Sequence, residues 1–363
     1  MTRRGIRNAL VALAIGAAAG YACAWLRTPI PWMLGPMFSL AFLRVAGFDL
    51  GVPAPVRYGG QWIIGTSLGL YFTPQVVREV AGLWYLLLAG AVFAVAVGYV
   101  SALALARMAG LDRTTALFAS VPGGAAEMAV LGERFGARVD RVAAAQSLRI
   151  LIVVALIPAV YTLLGVHGAD PYVQGAKSFA PQGFVMLMAL TAVGGFIFHR
   201  FHVPNAFVLG SLAVAIPLTA VQIDLSAMPQ WASNAGQCLL GCALGSRFQR
   251  DFLQGAHRFV SAVVLSVLLA MVLSAVFGAG LAYASGLHPA TLVLGTAPGG
   301  IAEMCITAKV LQLGVPLVTA FHVARVVVIL LTTVPVFARL QRWWSESEDG
   351  REEENEEGDE EGD

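Results

Sequence analysis

The chain contains itself twice. Displaced by 176 residues, Gly60-Gln61, Gly65 and Leu68-Gly69 fall on Gly236-Gln237, Gly241 and Leu244-Gly245. Pro122-Gly123-Gly124-Ala125-Ala126-Glu127-Met128 falls on Pro298-Gly299-Gly300-Ile301-Ala302-Glu303-Met304, and Gln146 and Arg149 fall on His322 and Arg325. Small shifts extend the match upstream, from Pro31 and Leu34-Gly35 to Pro204 and Leu209-Gly210. The chain therefore divides into a first repeat, 1–170, a second repeat, 171–342, and an unduplicated tail, 343–363.

Each copy is too apolar for a water-soluble domain. The runs Gly82–Ala106 and Phe259–Leu287 carry no charge, and at about 1.5 Å per residue either helix crosses a ~30 Å hydrocarbon core. Only 12% of the residues are charged, about half the usual share in a soluble domain. The expected class is an all-α polytopic membrane protein. Arg3, Arg4 and Arg7 ahead of an apolar stretch resemble a signal peptide. That stretch corresponds to Phe184–Phe198 in the second copy, so it is expected to be retained.

Charge separates the tail from the body. Of the 22 acids, 12 lie between Glu346 and Asp363 against one base, Arg351. Such a segment repels itself and lacks apolar anchors, which predicts a disordered, solvated end. No basic, aromatic-studded surface of the kind that binds nucleic acid is present.

Each half shows six apolar segments: 8–26, 31–48, 56–73, 82–106, 113–134 and 141–165, then 181–199, 204–221, 229–246, 259–285, 290–312 and 315–338. If all twelve crossed, positive charge would divide evenly between the two sides. Letting 113–134 and 290–312 enter and leave on one side places sixteen arginines inside, from Arg3 to Arg342. Arg27, Arg78, Lys177 and Lys309 remain outside. That asymmetry obeys the positive-inside rule. Proline lacks the helical donor and glycine weakens the helix, so the chain should break at Pro-Gly-Gly and turn back near mid-membrane. The expected architecture is two inverted repeats of five transmembrane helices, each with one re-entrant Pro-Gly-Gly hairpin. About ten helices span, and both termini are cytoplasmic.

Paired interrupted segments in inverted repeats point to a midplane transport site. The candidate substrate-binding residues are Pro122, Gly123, Gly124, Glu127, Gln146 and Arg149, with Pro298, Gly299, Gly300, Glu303, His322 and Arg325. Gln61 and Gln237 precede the Gly-x-x-x-Gly packing motifs by one turn and join the list. The second half-helix of each hairpin begins with unpartnered amides and a positive dipole end, which suits an anion. Glu127 and Glu303 have a local reading, complementing that dipole, and a functional one, since intramembrane carboxylates are costly. Arg149 lies about 12 Å inside its helix from Arg141. It either pairs with Glu127, as Arg325 would with Glu303, or clamps an anionic substrate. His322 replaces Gln146 and is a candidate for proton coupling.

Cys23, Cys238, Cys242 and Cys305 lie in apolar segments and read as packing residues. No clustered His or carboxylate completes a metal site, so no cofactor is expected. Trp25, Trp32, Trp231, Trp343 and Trp344 flank apolar segments as interface anchors.

The duplicated Pro-Gly-Gly-x-Ala-Glu-Met motif, Pro31-Trp32-Met33-Leu34-Gly35-Pro36, and the Gln146/Arg149 and His322/Arg325 pairs resemble the bacterial AbrB membrane-protein family over nearly all of 8–340. The resemblance implies a cell inner-membrane protein. Members are often labelled ammonia monooxygenases, and one is described as a regulator of gene expression. The residues here favour no enzyme, because copper or iron would find no ligand cluster. The leading expectation is a secondary transporter for a small organic solute, an anion by preference, coupled to protons or sodium. The alternative is a membrane-bound regulator or sensor acting indirectly on gene expression. The expected partners are the lipid bilayer and an unidentified solute, with homo-oligomerisation left open.

Overall fold

The computed structural model describes residues 3–168, 172, 174–175, 178–248 and 257–332. The described residues form fifteen helices and no strand. The acidic tail, Trp343 and Trp344 lie outside them, as do Lys177, Arg250, Arg339 and Arg342.

The first repeat runs α1 (Arg3–Trp25), α2 (Pro31–Val45), α3 (Ala54–Gly69), α4 (Pro74–Gly82), α5 (Trp84–Ala109), α6 (Arg113–Ser120), α7 (Ala125–Arg134) and α8 (Val139–Leu163). The second runs α9 (Pro181–Arg200), α10 (Ala206–Ala220), α11 (Gln230–Gly245), α12 (His257–Ser285), α13 (Pro289–Thr296), α14 (Ile301–Leu311) and α15 (Val315–Thr332). Each expected apolar segment is helical within its described residues, and each Pro-Gly-Gly segment is broken in two. The halves are 8 and 10 residues long in the first hairpin and 8 and 11 in the second. Helix α4 was not expected. It starts on Pro74 behind a Thr73 side-chain cap and carries Arg78 and Glu79, too short and polar to resemble a span.

Among the described residues, six helices are long and apolar enough to cross a membrane: α1, α5, α8, α9, α12 and α15. Helices α2, α3, α10 and α11 have 15 or 16 residues. At about 23 Å each they fall short of a ~30 Å core. They pack side by side between α1 and α9, each with a buried face. Large apolar side chains on the long helices, among them Val92, Val185, Val272 and Val276, face outward.

The four short helices interlock between repeats. On α11, a Cβ at Gly241 would strike the Met33 carbonyl of α2, and one at Gly245 the Met37 carbonyl. On α3, a Cβ at Gly65 would come 2.7 Å from the Val208 carbonyl of α10, and one at Gly69 would meet Ala215. So the Gly-x-x-x-Gly stripe of each half seats the other half's helix, where missing side chains let backbones touch. Helices α3 and α11 also cross each other at Gly60 and Gly236. Gly60 meets Leu240, and Gly236 meets Ile63 and Ile64. Residue numbers rise on one helix as they fall on the other, so these equivalent helices run antiparallel. The contact is self-complementary, as at a two-fold axis.

Helices α5 and α12 pack with Phe93 stacked on Phe277, centroids 3.8 Å apart, and the two hairpins lie against this pair. Gly98 of α5 admits Val121 and Pro122, and Gly278 of α12 admits Val293 and Thr296. The largest apolar core draws on both repeats, from Met33, Leu68 and Val153 to Val208, Leu294 and Cys305.

Candidate functional site

Each hairpin turn is built by its own motif. Gly123 has no Cβ, and Met128 folds into that space; Met304 does the same over Gly299. A Cβ on Gly124 would collide with the Glu127 carboxylate, and one on Gly300 with that of Glu303. The two glycines therefore let a thioether and a carboxylate curl back over the break. Glu127 and Glu303 occupy the third position of α7 and α14, where a negative charge complements the helix dipole.

The arginines serve the other end of the break. Arg149 Nη1 donates to the Val121 carbonyl at 3.1 Å and Nη2 to that of Gly123 at 3.2 Å. Arg325 Nη1 donates to the Ala297 carbonyl at 2.7 Å, and Nη2 to that of Gly299. These carbonyls follow the last turn of α6 and α13, the negative end of each half-helix. Of the two alternatives for these arginines, the Glu–Arg pair is not the arrangement formed. Among the described residues neither Glu127–Arg149 nor Glu303–Arg325 forms an ion pair. The physical reason is polarity. The break exposes carbonyls on one side and amides on the other, and each charge serves its complementary end.

Gln146 and His322 complete the cage. Gln146 Nε2 donates to the carbonyls of Phe118 (2.7 Å) and Val121 (2.9 Å), while His322 Nε2 lies 3.2 Å from the Leu294 carbonyl. Phe118 and Leu294 are equivalent positions. Gln146, Arg149, His322 and Arg325 are all buried. Arg149 Nε and Arg325 Nε have no acceptor among the described residues.

The two turns meet at one cavity of about 60 Å³, room for a few waters or a small ion. Gly123, Gly124 and Arg149 contribute from one hairpin and its following helix, and Gly300, Ile301, Ala302 and Glu303 from the other. Arg57 and Gln61 of α3, Asn205 before α10 and Arg247 after α11 close the wall. Gln61 Nε2 donates to Asn205 Oδ1 at 3.1 Å. A wider cleft of about 540 Å³ shares Arg57, Gln61 and Asn205 and adds Glu127, Arg134, His199 and His202. Pro122 and Pro298 face a second, smaller space of about 20 Å³ with Arg149, Ser101 and Ser120. Far along α3 and α11, Lys309 Nζ of α14 reaches the hydroxyls of Ser67 (3.4 Å) and Ser233 (3.3 Å).

Of the sequence-derived candidates, Gly123, Gly124, Arg149, Gly300, Glu303 and Gln61 line the central cavity, and Glu127 lines the cleft. Gln146, His322 and Arg325 hold the turns from behind. Gln237 is buried on α11 without lining either space. Arg57, Asn205 and Arg247 were missed as site residues. Their signal was asymmetry: Ser233 stands opposite Arg57 in the repeat and Tyr71 opposite Arg247, and Ile30 caps α2 in the left-handed conformation where Asn205 caps α10. Among the described residues no group of three His, Cys, Asp or Glu is placed to hold a metal.

The family model described as "Transition state regulatory protein AbrB" matches residues 6–342. The chain belongs to the AbrB family. It is 28% identical to "Uncharacterized protein YhjN" of Bacillus subtilis (strain 168), the alignment covering 93% of this chain and 94% of that protein. It is 25% identical to "Putative regulator AbrB" of Escherichia coli (strain K12), covering 86% and 90%. The AbrB family match and the long apolar helices together make this an integral membrane protein.

Proposed function

We propose that this AbrB-family protein is a secondary transporter for a small organic anion, bound between the tips of its two broken hairpins. The observation that carries this reading is the shared cavity. Two interrupted helices from different repeats present glycine turns, a carboxylate and Arg149 to one buried space. Broken helices are tolerated at membrane depth where protein or a wet cavity surrounds them, and paired ones mark transport sites. The antiparallel crossing of α3 and α11 supports inverted repeats. The basic residues support ten spans with both termini in the cytoplasm of a bacterial inner membrane. In that orientation Arg57, Arg247 and the cleft face inward, while Lys309 lies toward the outside. Alternating access then requires the hairpin pair to move against α2, α3, α10 and α11, driven by a proton or sodium gradient.

The test is uptake by the purified protein in proteoliposomes, with a panel of labelled organic anions under an imposed proton or sodium gradient. Saturable uptake that is lost in Arg149→Ala and reduced in Glu127→Gln is the expected result. Unchanged uptake in both variants would place the site elsewhere.

A membrane-bound regulator is the second reading, favoured by the printed name of the Escherichia coli relative. Deleting residues 345–363 separates the two. A transporter keeps its flux, whereas a sensor that signals through the tail loses its output.

A further inference from the structure

We propose that Arg57 and Arg247 form a second anion subsite at the mouth of the hairpin cavity, so that the solute is a short dianion with an anionic group at each end. This rests on the anion-transport reading and narrows it. Arg149 stands at the deep end, against the turns. Arg57 lies in the first turns of α3 and Arg247 just beyond the end of α11. These helices are antiparallel neighbours, so both guanidinium groups arrive at the same end of the pair.

Charge requires compensation there. Three guanidinium groups, Arg57, Arg149 and Arg247, line the cavity against one carboxylate, Glu303. None of the three forms an ion pair among the described residues. The Arg57 guanidinium lies over the face of Tyr58, 5.4 Å from the ring centroid. The adjoining cleft adds one carboxylate, Glu127, and one guanidinium, Arg134, and so leaves the formal balance unchanged. Like charges sharing a partly desolvated wall repel unless an anion joins them. A monoanion leaves that wall positive, and a dianion balances it.

The scaffold does not need these arginines. At the other end of the same crossing, Ser233 stands in place of Arg57 and Tyr71 in place of Arg247. Each repeat thus supplies one arginine where the other repeat has a neutral residue, and the two meet at the end of the crossing that lines the cavity. Between the two subsites, the hydrogen-bonded Gln61–Asn205 pair offers a neutral polar wall for the middle of the solute. Guanidinium groups recognise carboxylate and phosphate alike through paired donors. The shared chemistry is therefore two oxyanions on a short spacer, either a dicarboxylate or a carboxylate with a phosphonate.

Thermal unfolding of the full-length protein in detergent tests this with matched probes: succinate against butyrate, glutarate against valerate, and phosphonoacetate against acetate. Ligand binding raises the unfolding temperature by mass action. The expected result is at least a roughly tenfold tighter apparent Kd for one or more dianions than for the matched monoanion. In Arg57→Gln and Arg247→Gln that preference should disappear while weak monoanion binding persists. In Arg149→Gln both should be lost. Which dianion binds tells dicarboxylate from phosphonate. Equal stabilisation by mono- and dianions overturns the second subsite and leaves anion transport standing. No stabilisation by any probe overturns both.

Discussion

The two hairpins have the same cage and different walls. Arg149 and Arg325 reach equivalent carbonyls, 28 and 26 residues back in both copies. The methionine and glutamate of each motif fold over their glycines in the same way. Yet Glu127 borders a wide cleft while Glu303 is buried in the central cavity. Arg149 also lines that cavity, whereas Arg325 works only behind its turn. The comparison teaches that conserved geometry between repeats serves the fold of the broken helix. Chemical individuality resides in what the repeats do not share.

The arginines give the largest expected effect. Arg325→Met strips two charge-assisted hydrogen bonds from turn carbonyls and should cost about 3 kcal/mol, read as a lower unfolding temperature in detergent. Arg149→Met should cost a similar amount and in addition abolish stabilisation by anions. An Arg325→Met protein that unfolds at the wild-type temperature would show that the guanidinium is not the tether. Next come the glycines. Gly300→Ala drives the buried Glu303 carboxylate out of its fold over the turn and should cost about 2 kcal/mol. Gly124→Ala displaces the more accessible Glu127 and should cost about half that. Equal losses would erase the distinction drawn between the two carboxylates. The smallest effect is the exchange His322→Gln, expected to lie within about 1 kcal/mol of wild type. It should be stabilising if the amide bonds the Leu294 and Ala297 carbonyls as Gln146 bonds Phe118 and Val121.

Much of this was legible in the residues because breaks and duplications are local or periodic signals. Pro122-Gly123-Gly124 announces an interruption, and its recurrence at Pro298-Gly299-Gly300 announces a second one, so the hairpins could be drawn with their half-helices nearly to length. The Gly65/Gly69 and Gly241/Gly245 stripes signalled close packing, and the structure adds that each serves the other repeat. The residues left open whether each arginine pairs with its glutamate, because opposite charges suggest pairing while the exposed ends of a broken helix compete for each charge separately. Arg57 and Arg247 read as ordinary positive-inside residues. Only the three-dimensional neighbourhood of two antiparallel helices gathers them beside Asn205. Helix α4 escaped because nine residues with a proline start and an Arg–Glu pair carry no spanning pattern.

The exchange of glycine stripes between repeats also sets an order of events during synthesis. Met33 and Met37 of α2 seat Gly241 and Gly245, residues made 208 positions later, and the Gly65–Gly69 face waits for Val208 and Ala215, made 143 and 146 positions later. Until then the first half holds helices whose bare backbone faces have nothing to close on. Larger chains that finish their cores late expose such surfaces to misassembly in the interval. A ribosome-stalled fragment ending before residue 206 should therefore remain sensitive to protease at α2 and α3. Protection should arrive only after α11 has emerged and inserted.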